Sequence, residues 1–153
     1  MDFNYPKLNL PLEKFKLRAV DDEHFEIWDV IRKKYIVLTP EEWVRQHWIY
    51  LLHKSYGFPL GLISVEKQVD KKNPKKLRFD IICYNNKGQQ VVLVECKAFS
   101  ISINQKTLNQ ALIYNYKLGI KYIVLSNGIK HELFQVTTNG IEKTKHLPHY
   151  KEL

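Results

Sequence analysis

The chain is poor in cysteine: its 153 residues hold two, Cys83 and Cys96, both inside apolar runs. That count excludes a disulfide framework and a zinc knuckle, and the pair reads as reduced core thiols. No run of eighteen apolar residues exists, which excludes a membrane-spanning helix. The opening Met1-Asp2-Phe3-Asn4-Tyr5-Pro6 lacks the basic and apolar regions of a secretion signal, so a cytoplasmic location is the expectation. There is no Gly-x-x-x-x-Gly-Lys-Ser/Thr loop and no Gly-x-Ser-x-Gly elbow, which excludes a P-loop motor and an α/β-hydrolase nucleophile. The histidines show no ligand spacing, and His146-Leu147-Pro148-His149 reads as surface because its proline gives no rigid frame. Repeats, low-complexity tracts and interior linkers are absent as well.

Acidic residues are also scarce: 16 Asp and Glu against 24 Lys and Arg leave a net charge of +8, which favours a polyanionic partner such as nucleic acid. Lys71, Lys72, Lys75, Lys76 and Arg78 crowd one segment, either as a solvated loop or as a phosphate-binding one. Hydrophobic content of 44% with 26% charged residues suits one globular domain over residues 1–153.

Residues 1–14, with Pro6 and Pro11, read as an arm. Segments 15–20, 24–30 and 34–38 are rich in aromatic and β-branched residues, and predict an antiparallel meander over 15–38. Thr39-Pro40-Glu41-Glu42 predicts a helix start with a capping box, the helix running to residue 54 with Trp43, Val44, Trp48, Leu51 and Leu52 as core candidates. Strands follow at 61–69, 78–85 and 90–97, the last two joined by the turn Asn85-Asn86-Lys87-Gly88. A second helix is predicted over 104–118, a strand over 121–125, and a terminal hairpin at 131–137 and 140–144 within a C-terminal segment 127–153 that ends in a basic tail. The order is a meander and then α-β-β-β-α-β over 39–126, an α/β (α+β) fold with a mixed central sheet flanked by helices.

The chemistry concentrates on Asp80 and, after fourteen intervening residues, Glu95-Cys96-Lys97. Val91-Val92-Leu93-Val94 reads as a buried strand, and a carboxylate at its end needs a counter-charge or a metal. Residues i and i+2 of a strand share a face, so Glu95 and Lys97 point the same way. In a hairpin about residues 85–88, positions whose numbers sum to about 173–175 lie opposite each other, which sets Asp80 beside residues 93–95. Two carboxylates, with the Cys96 carbonyl as a further donor, suit Mg²⁺ or Mn²⁺, and Lys97 suits a water or a developing phosphorane charge. An isolated Glu-x-Lys is more often a structural ion pair; the buried run before it and the aspartate at hairpin range favour a site.

Glu42 is a third carboxylate that either assists the metal or only caps the helix, and Glu41 is the neighbour that can exchange roles with it. Arg45 either contacts phosphate or pairs with Glu41. On the second helix Lys106, Gln110, Tyr114 and Lys117 form one stripe of donors, suited to a phosphate backbone or simply to solvent, with Leu108, Ala111, Leu112 and Leu118 facing inward.

In these residues the chain resembles the PD-(D/E)xK nuclease superfamily. Asp80, Glu95 and Lys97 match its D…ExK signature, Glu42 its helical carboxylate, and Gln110 and Tyr114 its Q-xxx-Y element. The stretches Thr39–Gln46, Arg78-Phe-Asp-Ile-Ile and Val94-Glu-Cys-Lys-Ala98 are similar to the N-terminal nuclease domain of type I restriction enzyme R subunits. The resemblance implies a restriction-endonuclease-like core and Mg²⁺-dependent cleavage of DNA, with Asp80, Glu95 and Glu42 holding metal. It also implies nucleic-acid contacts from Gln110, Tyr114, Arg45, Lys106, Lys117 and Arg78. Phe79 stands where the signature has proline. The helicase and translocase part of such a subunit is not in these residues, so a separate motor or specificity subunit is the expected partner, and a homodimer is an alternative. Two other readings stay open: a nucleic-acid-binding module or accessory subunit with little cleavage, and a structural domain with an incidental acidic pair.

Overall fold

The structure is a computed structural model that describes residues 4–68 and 78–153. The run Lys71, Lys72, Lys75 and Lys76 lies outside the described residues, as do the side chains of Arg78, Tyr114 and Lys117.

Strands β1 (Leu17–Ala19), β2 (Phe25–Asp29) and β3 (Lys34–Val37) form the antiparallel meander that the aromatic-rich segments predict. Helix α1 (Pro40–Lys54) follows. Thr39 Oγ1 accepts the Glu42 amide at 3.1 Å, Pro40 opens the first turn, and acids at its start with bases at its end complement the dipole. The capping box is only half formed, because the Glu42 carboxylate takes side-chain donors. Trp43 and Leu51 are partly buried where core positions are predicted, and Ile49 is fully buried.

A six-stranded mixed sheet has the order β4-β5-β6-β7-β8-β9. Its strands are β4 (Ile63–Gln68), β5 (Arg78–Tyr84), β6 (Gln90–Cys96), β7 (Tyr122–Ser126), β8 (His131–Thr137) and β9 (Gly140–Thr144). The predicted strand at 61–69 begins later than expected, because Leu60–Leu62 forms a 3-10 turn. Helix α2 (Gln105–Leu118) crosses from β6 to β7, which pair in parallel; every other pairing in the sheet is antiparallel. Asn104 caps α2, its Oδ1 accepting the amides of Lys106 and Thr107 at 3.0 and 3.2 Å.

Alternation along the strands splits the core in two. Val44, Trp48, Ile49 and Leu52 of α1 pack on Ile81, Cys83, Val92, Val94 and Cys96. Ala111 of α2, with Leu108, Leu112 and Leu118, packs on Ile82, Leu93, Ile123 and Phe134. Each fully buried aliphatic side chain contributes about 1.5–3 kcal/mol. A sheet covered on both faces explains why β6 reads as an unbroken apolar run.

The two ends of the chain close over this core. Leu8 is buried and the Asn9 amide donates to the Gly128 carbonyl at 2.7 Å, so the arm is fastened to the sheet. The tail corrects the surface reading of residues 146–149: Leu147 is buried in the core. His149 accepts the Lys151 amide and starts a 3-10 turn, Tyr150–Glu152.

Candidate active site

β5 and β6 deliver the acidic pair. Ile81 pairs with Val94 and Ile82 with Leu93, which brings Asp80, the residue before Ile81, to the end of β6 where Glu95 lies. Asp80 Oδ2 accepts the Cys96 amide at 2.6 Å, which ties the aspartate to the end of β6. Lys97, just past the strand, donates from Nζ to Glu95 Oε1 at 3.2 Å. The three residues of the D…ExK pattern are thus in one place, on the two strands that the hairpin reading named.

Glu95 is the unusual member. It is 6% exposed, and its Oε2 is buried with no hydrogen-bond partner among the described residues. Burial first, and then the charge of Asp80, push its carboxyl up to about 8 against the pull of Lys97. Burial acts to lower the Lys97 ammonium, but Glu95, Asp80 and Glu41 outweigh it and raise the net affinity for its proton. Burial and the Asp80 charge raise the Glu41 carboxyl as well, with Arg45 and Lys97 opposing.

Behind the pair stands a two-arginine network. Arg45, nearly buried, reaches Asp80 Oδ1 at 2.7 Å, Glu41 Oε1 at 2.9 Å and Glu66 Oε1 at 3.2 Å, and also pairs with Glu42 Oε2. Arg32, from the turn after β2, reaches Glu42 Oε1 at 2.8 Å and Glu66 Oε2 at 3.0 Å, and pairs with the fully buried Asp29. Gln46 Nε2 adds a 2.9 Å bond to Glu42. Burial works against the charge of Arg45, but Asp80 and Glu42 more than compensate and hold it protonated. Glu66 lies in β4 between residues paired with Ile81 and Phe79, and adopts φ 48°, a left-handed conformation that costs a non-glycine residue on the order of 1–3 kcal/mol.

Of the two sequence readings of Arg45, the pairing with Glu41 is present, within a ring of carboxylates. Both oxygens of Glu42 are engaged by arginines, so Glu41 is the helix carboxylate whose field reaches Asp80, Glu95 and Lys97. Arg32 and Glu66 were missed: each acts through tertiary contact and leaves no local pattern. Gln110 and Lys106 are exposed on α2.

The donors suit a hard divalent cation. Among the described residues no three His, Cys, Asp or Glu side chains converge as a ready-made cage. Magnesium is commonly held by one or two carboxylates plus water and substrate phosphate, which is the number that Asp80 and Glu95 supply. The unpartnered Glu95 oxygen is the atom such an ion would satisfy.

The profile of the family described as type I restriction enzyme R protein N terminus matches residues 40–148, from the first residue of α1 to beyond β9. The chain belongs to that family. Its matched stretch contains Asp80, Glu95, Lys97 and α2. Among solved structures, a fragment of an HsdR subunit of a type I restriction enzyme from Vibrio vulnificus is similar, at 20% identity and a TM-score of 0.49. The alignment covers 65% of this chain and 22% of that one, so the chain spans about a fifth of that solved fragment's length. No curated protein matches. The family relation supports a restriction-enzyme-related role. Among the described residues no helix is long and apolar enough to cross a membrane.

Proposed function

We propose that this domain is a divalent-metal-dependent nuclease of the PD-(D/E)xK type that hydrolyses DNA phosphodiester bonds. The observation that carries the reading is Glu95: a buried carboxylate with an unpartnered oxygen, beside Asp80 and bonded to Lys97. Asp80 and Glu95 would hold the ion, Mg²⁺ or Mn²⁺, with Glu41 as a further acid at the mouth. The bound ion would polarise the phosphoryl oxygen and acidify a water. Lys97 orients that water or neutralises charge building on the phosphate, a task suited to a compact ammonium. Asp80 keeps its orientation through Arg45 and the Cys96 amide while retaining lone pairs for a ligand. The exposed Gln110 and Lys106, with Tyr114, Lys117 and Arg78, are proposed backbone contacts.

Relaxation of supercoiled plasmid in Mg²⁺ or Mn²⁺ tests the reading. Wild type is expected to nick, and Asp80→Ala, Glu95→Ala and Lys97→Ala to lose activity by at least about 100-fold. If wild type leaves plasmid, linear duplex and single strands intact in both metals, the nuclease assignment fails. One observation favours a second reading, a domain with little activity alone: Arg45 occupies Asp80 Oδ1. Activity that appears only with a motor or specificity subunit, or in a homodimer, would match it.

A further inference from the structure

A cleft of about 240 Å³ opens between the start of α2 and the β8–β9 hairpin. Its floor is apolar, with Leu108, Leu125 and Phe134, and its rim carries Lys130, Lys143 and Glu132. Its place in the sheet is defined by register. Glu95 pairs with Leu125 and Leu125 with Glu132, so the three share one row and one face across β6, β7 and β8. Adjacent strands are about 4.8 Å apart, so the cleft begins one strand from Glu95 and its charged rim lies about 10 Å away.

We propose that this cleft receives the nucleotide next to the scissile phosphate, with an unpaired base on the apolar floor and flanking phosphates on Lys130 and Lys143. The inference rests on the nuclease reading and adds a substrate class: polynucleotide that is single-stranded beside the cut. Charge supports it. Lys130 and Lys143 are 61% and 68% exposed, and both pair with Glu132, at 3.2 and 2.7 Å. Glu132 is the one acid in the lining, so the rim keeps a net positive charge while that carboxylate holds two ammonium groups at a fixed spacing. The two lysines lower the Glu132 carboxyl, which keeps it ionised in this role. Size agrees too. Pockets for drug-sized ligands run to about 300–1,000 Å³, so this one suits a single ring system. A base reaches such a slot only when it is unpaired, and stacking on side chains tolerates any sequence.

Fluorescence anisotropy with a labelled single-stranded oligonucleotide and its blunt duplex, in Ca²⁺ to limit turnover, tests the inference. Wild type is expected to bind the single strand more tightly. The double variant Lys130→Gln/Lys143→Gln should weaken single-strand binding about tenfold, and should lower the slope of log K against log salt by about 1.4, at 0.7 per phosphate. Ile103→Trp, which narrows the cleft, should weaken single-strand binding and leave duplex binding unchanged. An unchanged salt slope in the lysine variant, equal losses for duplex and single strand, or no single-strand binding by wild type overturns the proposal. Plasmid nicking by wild type alongside any of these results would remove the cleft assignment and leave the nuclease reading intact. The expected binding losses with no nicking would remove the nuclease reading, and with it the place beside a scissile phosphate, and leave the cleft as a single-strand binding site.

Discussion

Arg45 bridges Asp80 and Glu41: one guanidinium nitrogen lies 2.7 Å from Asp80 Oδ1 and 2.9 Å from Glu41 Oε1. It also serves Glu42 and Glu66, so one nearly buried cation faces four acids from α1, β4 and β5. Removing it leaves Asp80 without its guanidinium partner, and leaves Glu42 and Glu66 with Arg32 as the remaining arginine of the network. Arg45→Met is expected to lower unfolding stability in urea by about 3–5 kcal/mol. Added Mn²⁺ should raise the midpoint more in this variant than in wild type, because a metal at Asp80 replaces part of the lost positive charge. An equal shift in both proteins would mean that arginine and metal do not share Asp80.

Glu95 should make stability depend on pH. Its folded carboxyl titrates at about 8, above the ordinary 4.5. Between those values the folded state binds more protons than the unfolded chain, so stability falls as pH rises from 4.5 and levels off above 8. Thermal midpoints from pH 5 to 9, in chelator, should decline for wild type and flatten for Glu95→Gln. Metal affinity should climb over the same range, since the ion must displace that proton. A flat wild-type profile would contradict the buried setting of Glu95.

Glu41 and Glu42 should separate binding from stability. The Glu42 side chain is 6% exposed and held by two arginines, whereas that of Glu41 is 44% exposed. Glu42→Gln is expected to destabilise by about 3–5 kcal/mol. Glu41→Gln should change stability by less than about 1 kcal/mol and weaken Mn²⁺ binding severalfold in a calorimetric titration. The opposite ranking would restore Glu42 as the metal-facing acid.

Gly128 tests the seat of the N-terminal arm. It has φ +83°, and a Cβ there would stand 2.8 Å from Leu8 Cδ2 and 3.0 Å from Val44 Cγ2. Gly88 has a similar φ of +73° with open space around it. Gly128→Ala should therefore cost about 1–3 kcal/mol more than Gly88→Ala in paired urea titrations. Equal losses would show that the arm packs loosely.

The acidic pair was legible because a hairpin turn fixes what lies opposite what: Asn85-Asn86-Lys87-Gly88 sets Ile81 against Val94, and Asp80 follows. The terminal hairpin was legible for the same reason, from Thr138-Asn139-Gly140. Arg32 was not, since its partners lie on α1 and β4, ten and thirty-four residues away. A hint did exist in α1. Trp43-Val44-Arg45-Gln46-His47-Trp48-Ile49 has polar residues within an apolar stretch, and Arg45, Gln46 and His47 are all buried. Such residues require internal partners. Leu147 was misread because a proline-broken tail has no period to reveal which side chain turns inward.

The parallel pairing of β6 with β7 bears on how the protein comes into being. β6 meets β5 as soon as a short turn closes, but its other neighbour arrives only after α2 has been made. Until then the segment carrying Glu95 is an open edge, able to recruit stray strands. Contacts of long sequence separation form slowly. A nascent chain ending before Tyr122 would hold Asp80, Glu95 and Lys97 yet lack the wall that desolvates Glu95. The buried setting of Glu95 therefore arrives only with completion of the sheet.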